Sequence, residues 1–225
     1  MFQREVILNI LSQAQKVDKK FELFGSSTHK YKLNLPIQAS FVRSIEEKYS
    51  FTLPEDYFRF ITEVGDGGAG PDYGIQSFTE FLTEGVDSYS KRYWEEYRYS
   101  LAKPFVPRTM VADEVEEFSI ATKEAYERNP NNYFIYEEDD ETKFCDTAGF
   151  YTLGTHGCQW DFGLIITGDK RGQVFDTDNE GAYCFVANSF TEFYGKWLKG
   201  IADTEEVRRE LEARRELRKR IRSIK

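Results

Sequence analysis

The chain has 225 residues, 40% of them hydrophobic and 16% aromatic, with 39 Asp and Glu against 30 Lys and Arg and a formal net charge of −9. That length suits one large domain with a real core, and the aromatic content argues against disorder despite 31% charged residues. The charge is uneven: Asp203 to Lys225 hold nine Lys/Arg and six Asp/Glu, a net of +3, which leaves −12 on the other 202 residues. A body of that charge repels nucleic acid and favours a basic protein partner.

Three cysteines, Cys145, Cys158 and Cys184, follow no framework spacing and point to a reducing cytoplasm. The opening "MFQREVILNILSQAQK" has charges within it and no cleavage site, so it does not read as a secretory signal. No run approaches the roughly 18 apolar residues of a membrane span. The expectation is a cytoplasmic protein with neither membrane nor nucleic acid as partner.

Helical spacing comes first. Phe2, Val6, Ile7, Ile10, Leu11, Ala14 and Val17 fall on one face, predicting a helix within residues 1–20. A second helix is predicted from Ile37 to Tyr49, behind Pro36, with Phe41 and Ile45 inward. A third runs from Pro54 to Val64, with Glu55 and Asp56 at its positive end. The aromatic stretch Tyr89 to Leu101 and the stretch Asp113 to Arg128 read as further helices, the latter ending at "NPNN". Of Tyr89, Tyr93, Trp94, Tyr97 and Tyr99, some must face outward on one helix.

The pattern then changes to "NYFIYE", "FYTLG", "DFGLIITG", "GQVFDT" and "AYCFVA", short β-branched and aromatic runs between turn residues. "ITGDKRGQVF" reads as a hairpin, and the short connections imply antiparallel pairing. A closing helix, "SFTEFYGKWLKGI", has Ser189 and Glu192 at capping-box spacing. Beyond it the tail has a thin apolar stripe, Val207, Leu211, Leu217 and Ile221, as of a charged helix lying lightly on the body. Helices first and last with strands between make an α+β fold, a mainly antiparallel central sheet flanked by helices. Residues 1–200 read as a single domain and 201–225 as a charged helical tail.

"GDGGAG", Gly65 to Gly70, tests for a phosphate loop and fails. Phosphate sites need a helix N-terminus after the glycines, whereas here a helix precedes them, Pro71-Asp72 follows, and Asp66 and Asp72 would repel the anion. The structural reading has Gly65 ending the helix in the left-handed region and Gly67, Gly68 and Gly70 reversing the chain.

Other chemistry is sparse. His156 with Cys158, Cys145 and Cys184 has soft-ligand character but no zinc spacing, and a Cys158–His156 nucleophile pair has no orienting third group. The better reading is buried cysteines acting as small apolar residues and His156 bonded within a turn. His29, in "SSTHKYK", reads as surface. "DTDNEG" is only a fragment of a calcium loop. No catalytic, cofactor or metal residue is therefore assigned. Three acidic runs are candidate docking loops for a basic partner: Asp113, Glu114, Glu116 and Glu117; Glu137, Glu138, Asp139, Asp140 and Glu141; and Asp176 with Asp178.

"SFVRSIEEKYSFTLPEDYFRFITEVGDGGAGPDYGI" resembles the opening of the SMI1/KNR4 (SUKH) superfamily. Leu53, Pro54, Asp56, Tyr57, Phe60, Gly67 and Gly68 carry the match, and Tyr73-Gly74-Ile75 continues it. "LAKPFVP", "YTLGTHGCQWDFGLIITGDKRGQVFDTD" with its His156-Gly157-Cys158 turn, and "SFTEFYGKWL" resemble later segments of the same family. The likeness spans about residues 35–200. It leaves the N-terminal helix and the tail outside and is poor over 76–132 apart from Pro104-Phe105.

The resemblance implies an antiparallel α+β domain without catalytic residues. Bacterial members are largely immunity proteins that neutralise toxins, often nucleases, of contact-dependent or polymorphic systems. The HGC turn then reads as fold-determining. A cognate toxin is the expected partner. A regulatory scaffold for an endogenous protein is the alternative, and an enzyme using His156 and Cys158 the third reading.

Overall fold

The computed structural model describes residues 2–83, 91–105, 133–134, 148–178 and 182–223. The predicted helix at 113–128 and the acidic residues Asp113, Glu114, Glu116, Glu117, Glu137, Glu138, Asp139, Asp140 and Glu141 lie outside them, as do Tyr89 and Cys145.

The first helix, α1 (Arg4–Val17), buries Ile7, Leu11 and Ala14 and leaves Val6 exposed. The chain turns after it on the buried carboxylate of Asp18. That group accepts from the Glu22 and Leu23 amides and from the Ser26 and Tyr31 hydroxyls at 2.7–3.2 Å. A short α2 (Ser26–His29) follows. In α3 (Ala39–Tyr49) the buried face is Val42, Glu46 and Tyr49, and Phe41 is exposed. Of the two residues expected inward, Phe41 faces out, while Ile45 is partly buried and packs against the core. Glu46 faces inward because its carboxylate accepts the Leu53 amide at 2.7 Å and meets Arg43 at 2.7 Å.

Pro54 is the cap of α4 (Glu55–Arg59), and the helix widens into a π-helical turn over Phe60–Val64. Gly65 ends it with φ 176°, in extended backbone and not in the left-handed region expected of it. Its amide bonds back to the Phe60 carbonyl at 2.9 Å, continuing the wide turn. Next come α5 (Phe78–Thr83) and α6 (Lys91–Ser100). They are tied by the buried Arg98, whose Nε and Nη2 donate to the Phe81 carbonyl at 3.2 and 2.7 Å. On α6 Tyr97 is buried while Tyr93 and Tyr99 face outward, the division one helix requires.

Strands β2 (Phe150–Gly157), β3 (Trp160–Ile165), β4 (Val174–Thr177) and β5 (Ala182–Ala187) form an antiparallel sheet, with the two-residue β1 (Tyr133–Phe134) beside β5. The order is β1-β5-β4-β3-β2. The hairpin read from "ITGDKRGQVF" is present, with Gly163 opposite Phe175 and Leu164 opposite Val174. Alternation sorts the faces. Tyr151, Leu153, Phe162, Leu164 and Val174 join the main core with the helices, while Phe150, Ile165, Phe175 and Tyr183 gather around Phe105.

The closing helix α7 (Phe190–Ala202) buries Phe190, Phe193, Tyr194, Leu198 and Ile201. Ser189 Oγ accepts the Glu192 amide at 3.0 Å, as predicted. The Glu192 carboxylate reaches past Ser189 to the amide of Asn188 at 3.0 Å, and this bond, with Lys196 beside it, holds its pKa down to about 2. The tail is α8 (Thr204–Ser223), and Val207 and Leu211 are buried against the body.

Asp56 serves two helix ends: Oδ1 accepts the Tyr57 amide at 3.0 Å and Oδ2 the Thr191 amide at 2.8 Å. Asp56→Ala should therefore cost about 1–2 kcal/mol, measured by urea unfolding, with faster amide exchange at the start of α7. Gly200, in the last turn of α7, is the reverse case, since a Cβ there would meet nothing within 4 Å. Gly200→Ala should stabilise the fold by about 0.5–1 kcal/mol, read as a raised urea midpoint.

Candidate functional site

The glycine-rich stretch and the HGC turn, 84 residues apart at their linking pair, meet in space. Gly67 and Gly68 adopt φ of 75° and 96°, and Gly68 bridges both Leu33 and Ile75. A Cβ on Gly68 would stand 2.4 Å from the Lys32 carbonyl, so the close approach requires glycine. Gly70 does not take the positive φ expected of it; there the constraint is contact with Ile75.

Asp66 is buried and accepts from Ser77 Oγ (2.8 Å), the Phe78 amide (2.7 Å), the Thr79 amide (3.2 Å) and Thr79 Oγ1 (2.6 Å). It caps the N-terminal end of α5 from a distant loop. Above it, Tyr194 Oη donates to the Ala69 carbonyl at 2.8 Å, tying the loop to α7. The Gln76 amide donates to the Leu153 carbonyl at 2.6 Å, tying it to β2.

His156 closes the junction. Its Nδ1 bonds Asp72 of the glycine loop, and its Nε2 bonds Asp176 Oδ1 of β4 at 2.9 Å. The expectation of a bond within the turn is corrected: a turn leaves the ring free to swing, whereas two carboxylates on different elements fix both nitrogens. The Asp176 and Asp72 hydrogen bonds outweigh partial burial and push the His156 pKa up to about 10. The ring is an imidazolium at neutral pH, so neither nitrogen is available as a base or as a metal ligand there. Asp176, a proposed docking residue, is thereby engaged within the fold, and Asp178 follows at the end of β4.

Gly157, Cys158 and Gln159 all have positive φ, at 85°, 52° and 70°, and form the β2–β3 turn. Cys158 is exposed, against the expectation of a buried thiol, because the tight turn projects outward. Cys184 is half-buried, and burial with the charges of Asp176 and Asp178 pushes its thiol up to about 11. Among the described residues no three His, Cys, Asp or Glu side chains are grouped to hold a metal ion. No helix among them is long and apolar enough to cross a membrane.

His29, read as surface, is half-buried. Its ring lies edge-on to Tyr31 and Trp197, and burial lowers its pKa to about 4. Tyr31 belongs to that same polar segment, but Trp197 comes from α7, far along the chain, and the local sequence does not reveal it.

The residues of the family-like motif divide by role. Leu53 and Tyr57 are core, and Pro54 and Asp56 set helix ends. Gly67 and Gly68 permit the loop, and His156, Gly157 and Cys158 form the turn that clasps it. Asp72 and Asp176 as clasp partners were missed in the sequence; no local spacing marks them. No family model matches the chain, and neither a curated protein nor a solved structure does so.

Proposed function

We propose that this chain is an SMI1/KNR4 (SUKH)-like immunity protein that binds a cognate toxin of a contact-dependent or polymorphic system and covers its working surface. The mechanism is steric and electrostatic, without catalysis, and a nuclease is the toxin type that the acidic body suits best. The observation carrying this reading is the docking of the two resembling segments on each other. Tyr57 Oη donates to Tyr151 Oη at 3.3 Å, Asp56 accepts the Thr191 amide, and Asp72 bonds His156. Segments that matched only in sequence order thus form one connected framework, as parts of a single module would. The occupied ring of His156 further favours binding over a Cys158–His156 nucleophile pair.

The acidic balance of −12 outside the tail supports a basic partner. Co-expression with a candidate toxin drawn from the gene's own locus should preserve growth and yield a stable complex. Association should slow as salt rises, because rim charges act mainly on the on-rate. Growth arrest despite a folded protein would overturn the reading, and capture of an endogenous protein in place of a toxin would favour the regulatory scaffold.

A further inference from the structure

The segments outside the resemblance, 1–34 and 201–225, converge on one side of the molecule. Glu22, after α1, pairs with Arg215 at 2.6 Å and Arg218 at 3.1 Å of α8, and Val207 and Leu211 of α8 are buried. Between these segments and α7 lies a cavity of about 410 Å³. Phe24, Trp197 and Gly200 line it together with the carboxyl-bearing Asp72, Glu206 and Glu210.

Two features give the cavity a chemical character. The first is aromatic. Phe24 remains 46% exposed, its ring held edge-on to Tyr73 at 5.1 Å. Trp197 is braced by Tyr194 at 5.2 Å and by His29 at 5.9 Å. The second is charge. Three carboxyl groups line the space against one cation, Arg214, which pairs with Glu210 at 2.9 Å. Asp72 is shared with His156. Glu206 has no ion pair among the described residues. Behind Trp197, His29 is uncharged at neutral pH.

We propose that this cavity is a socket for a basic side chain, arginine foremost, on the protein that this chain binds; the proposal rests on the reading above of a basic partner. A guanidinium stacks on an aromatic face while pairing with a carboxylate, and gives up its hydration more readily than an ammonium does. An anionic group would face the carboxylates unpaired. Gly200 leaves the wall open where alanine would be the better helix former. The chain-specific segments thus add a specificity site to a family-like core.

The probe is a blocked tri-arginine peptide, titrated into the full chain at low salt, with a blocked tri-glutamate peptide for comparison. Wild type should bind the first and not the second. Glu206→Gln and Phe24→Ala should each weaken binding about tenfold. Gly200→Leu, whose Cβ would meet nothing within 4 Å and whose branched side chain takes up the open space, should do the same. Glu47→Gln, an equal charge change on α3, should alter it by less than about twofold. Circular dichroism checks that each variant is folded. No binding at millimolar peptide, or equal weakening by Glu47→Gln and Glu206→Gln, overturns the socket.

The same variants enter the toxin co-expression assay. If wild type protects and all three socket variants protect equally, the socket fails while the immunity reading stands. If wild type does not protect, that reading fails and the peptide titration still decides the socket.

Discussion

Asp66→Ala should lower the unfolding free energy by about 3–4 kcal/mol, the largest effect expected of any single substitution considered. The carboxylate is buried and satisfied by two amides and two hydroxyls of the Ser77–Thr79 segment. Removing it leaves buried donors without an acceptor and strips the N-terminal end of α5 of its negative charge. Asp66→Asn keeps one acceptor oxygen and should recover part of the loss. Ser77→Ala removes its bond to Asp66 and its cap on the Glu80 amide and should cost about 1–2 kcal/mol. Urea unfolding measures all three, and an Asp66→Ala midpoint equal to wild type would mean that the loop is not held through this group.

His156→Ala should cost about 2–3 kcal/mol at pH 7, because Asp72 and Asp176 then lose the cation between them. Solvent screens the interaction in part, since the ring is 30% and each carboxylate 28% exposed. The effect should also depend on pH. The folded pKa of about 10 lies above the ordinary 6.5, so the ion-pair stabilisation is complete below about pH 6.5. It fades as pH rises from there through about 10. The stability difference between wild type and His156→Ala should accordingly shrink between pH 6.5 and pH 10. A difference constant across that window would mean that the ring is neutral and the clasp only a hydrogen bond. Asp72→Asn should lower the His156 pKa, followed by the ring's proton resonances in a pH titration.

Elements with a local physical cause were legible in the sequence. The strands follow from alternation, the β3–β4 hairpin from "GDKRG", and the start of α7 from Ser189, whose hydroxyl does bond three residues ahead. On α3 the buried Glu46 was passed over because it is polar, and periodicity counts apolar residues. What turns it inward is the Leu53 amide, set by the chain reversal after the helix. The π-helical turn at Phe60–Val64 shifts side chains by a fraction of a turn, too little for an apolar pattern to register.

The site was harder to read, for the same reason. Asp66 looked like a group that would repel phosphate. The donors it serves lie 11 to 13 residues away, at the start of a helix whose local cap, Ser77 Oγ accepting the Glu80 amide at 3.2 Å, gives no sign that a distant carboxylate joins it. His156 pairs across 84 and 20 residues, and nothing in "THGCQW" distinguishes a clasp from a turn. Buried charge finds its partner through the tertiary fold, and spacing along the chain does not encode that.

Survival and co-purification in cells expressing a candidate toxin from the gene's own locus test the proposed function most directly. Wild type should restore growth and elute with the toxin as one complex, while Glu206→Gln should weaken both without unfolding the protein. Growth arrest with a folded, soluble protein that elutes alone would contradict that function.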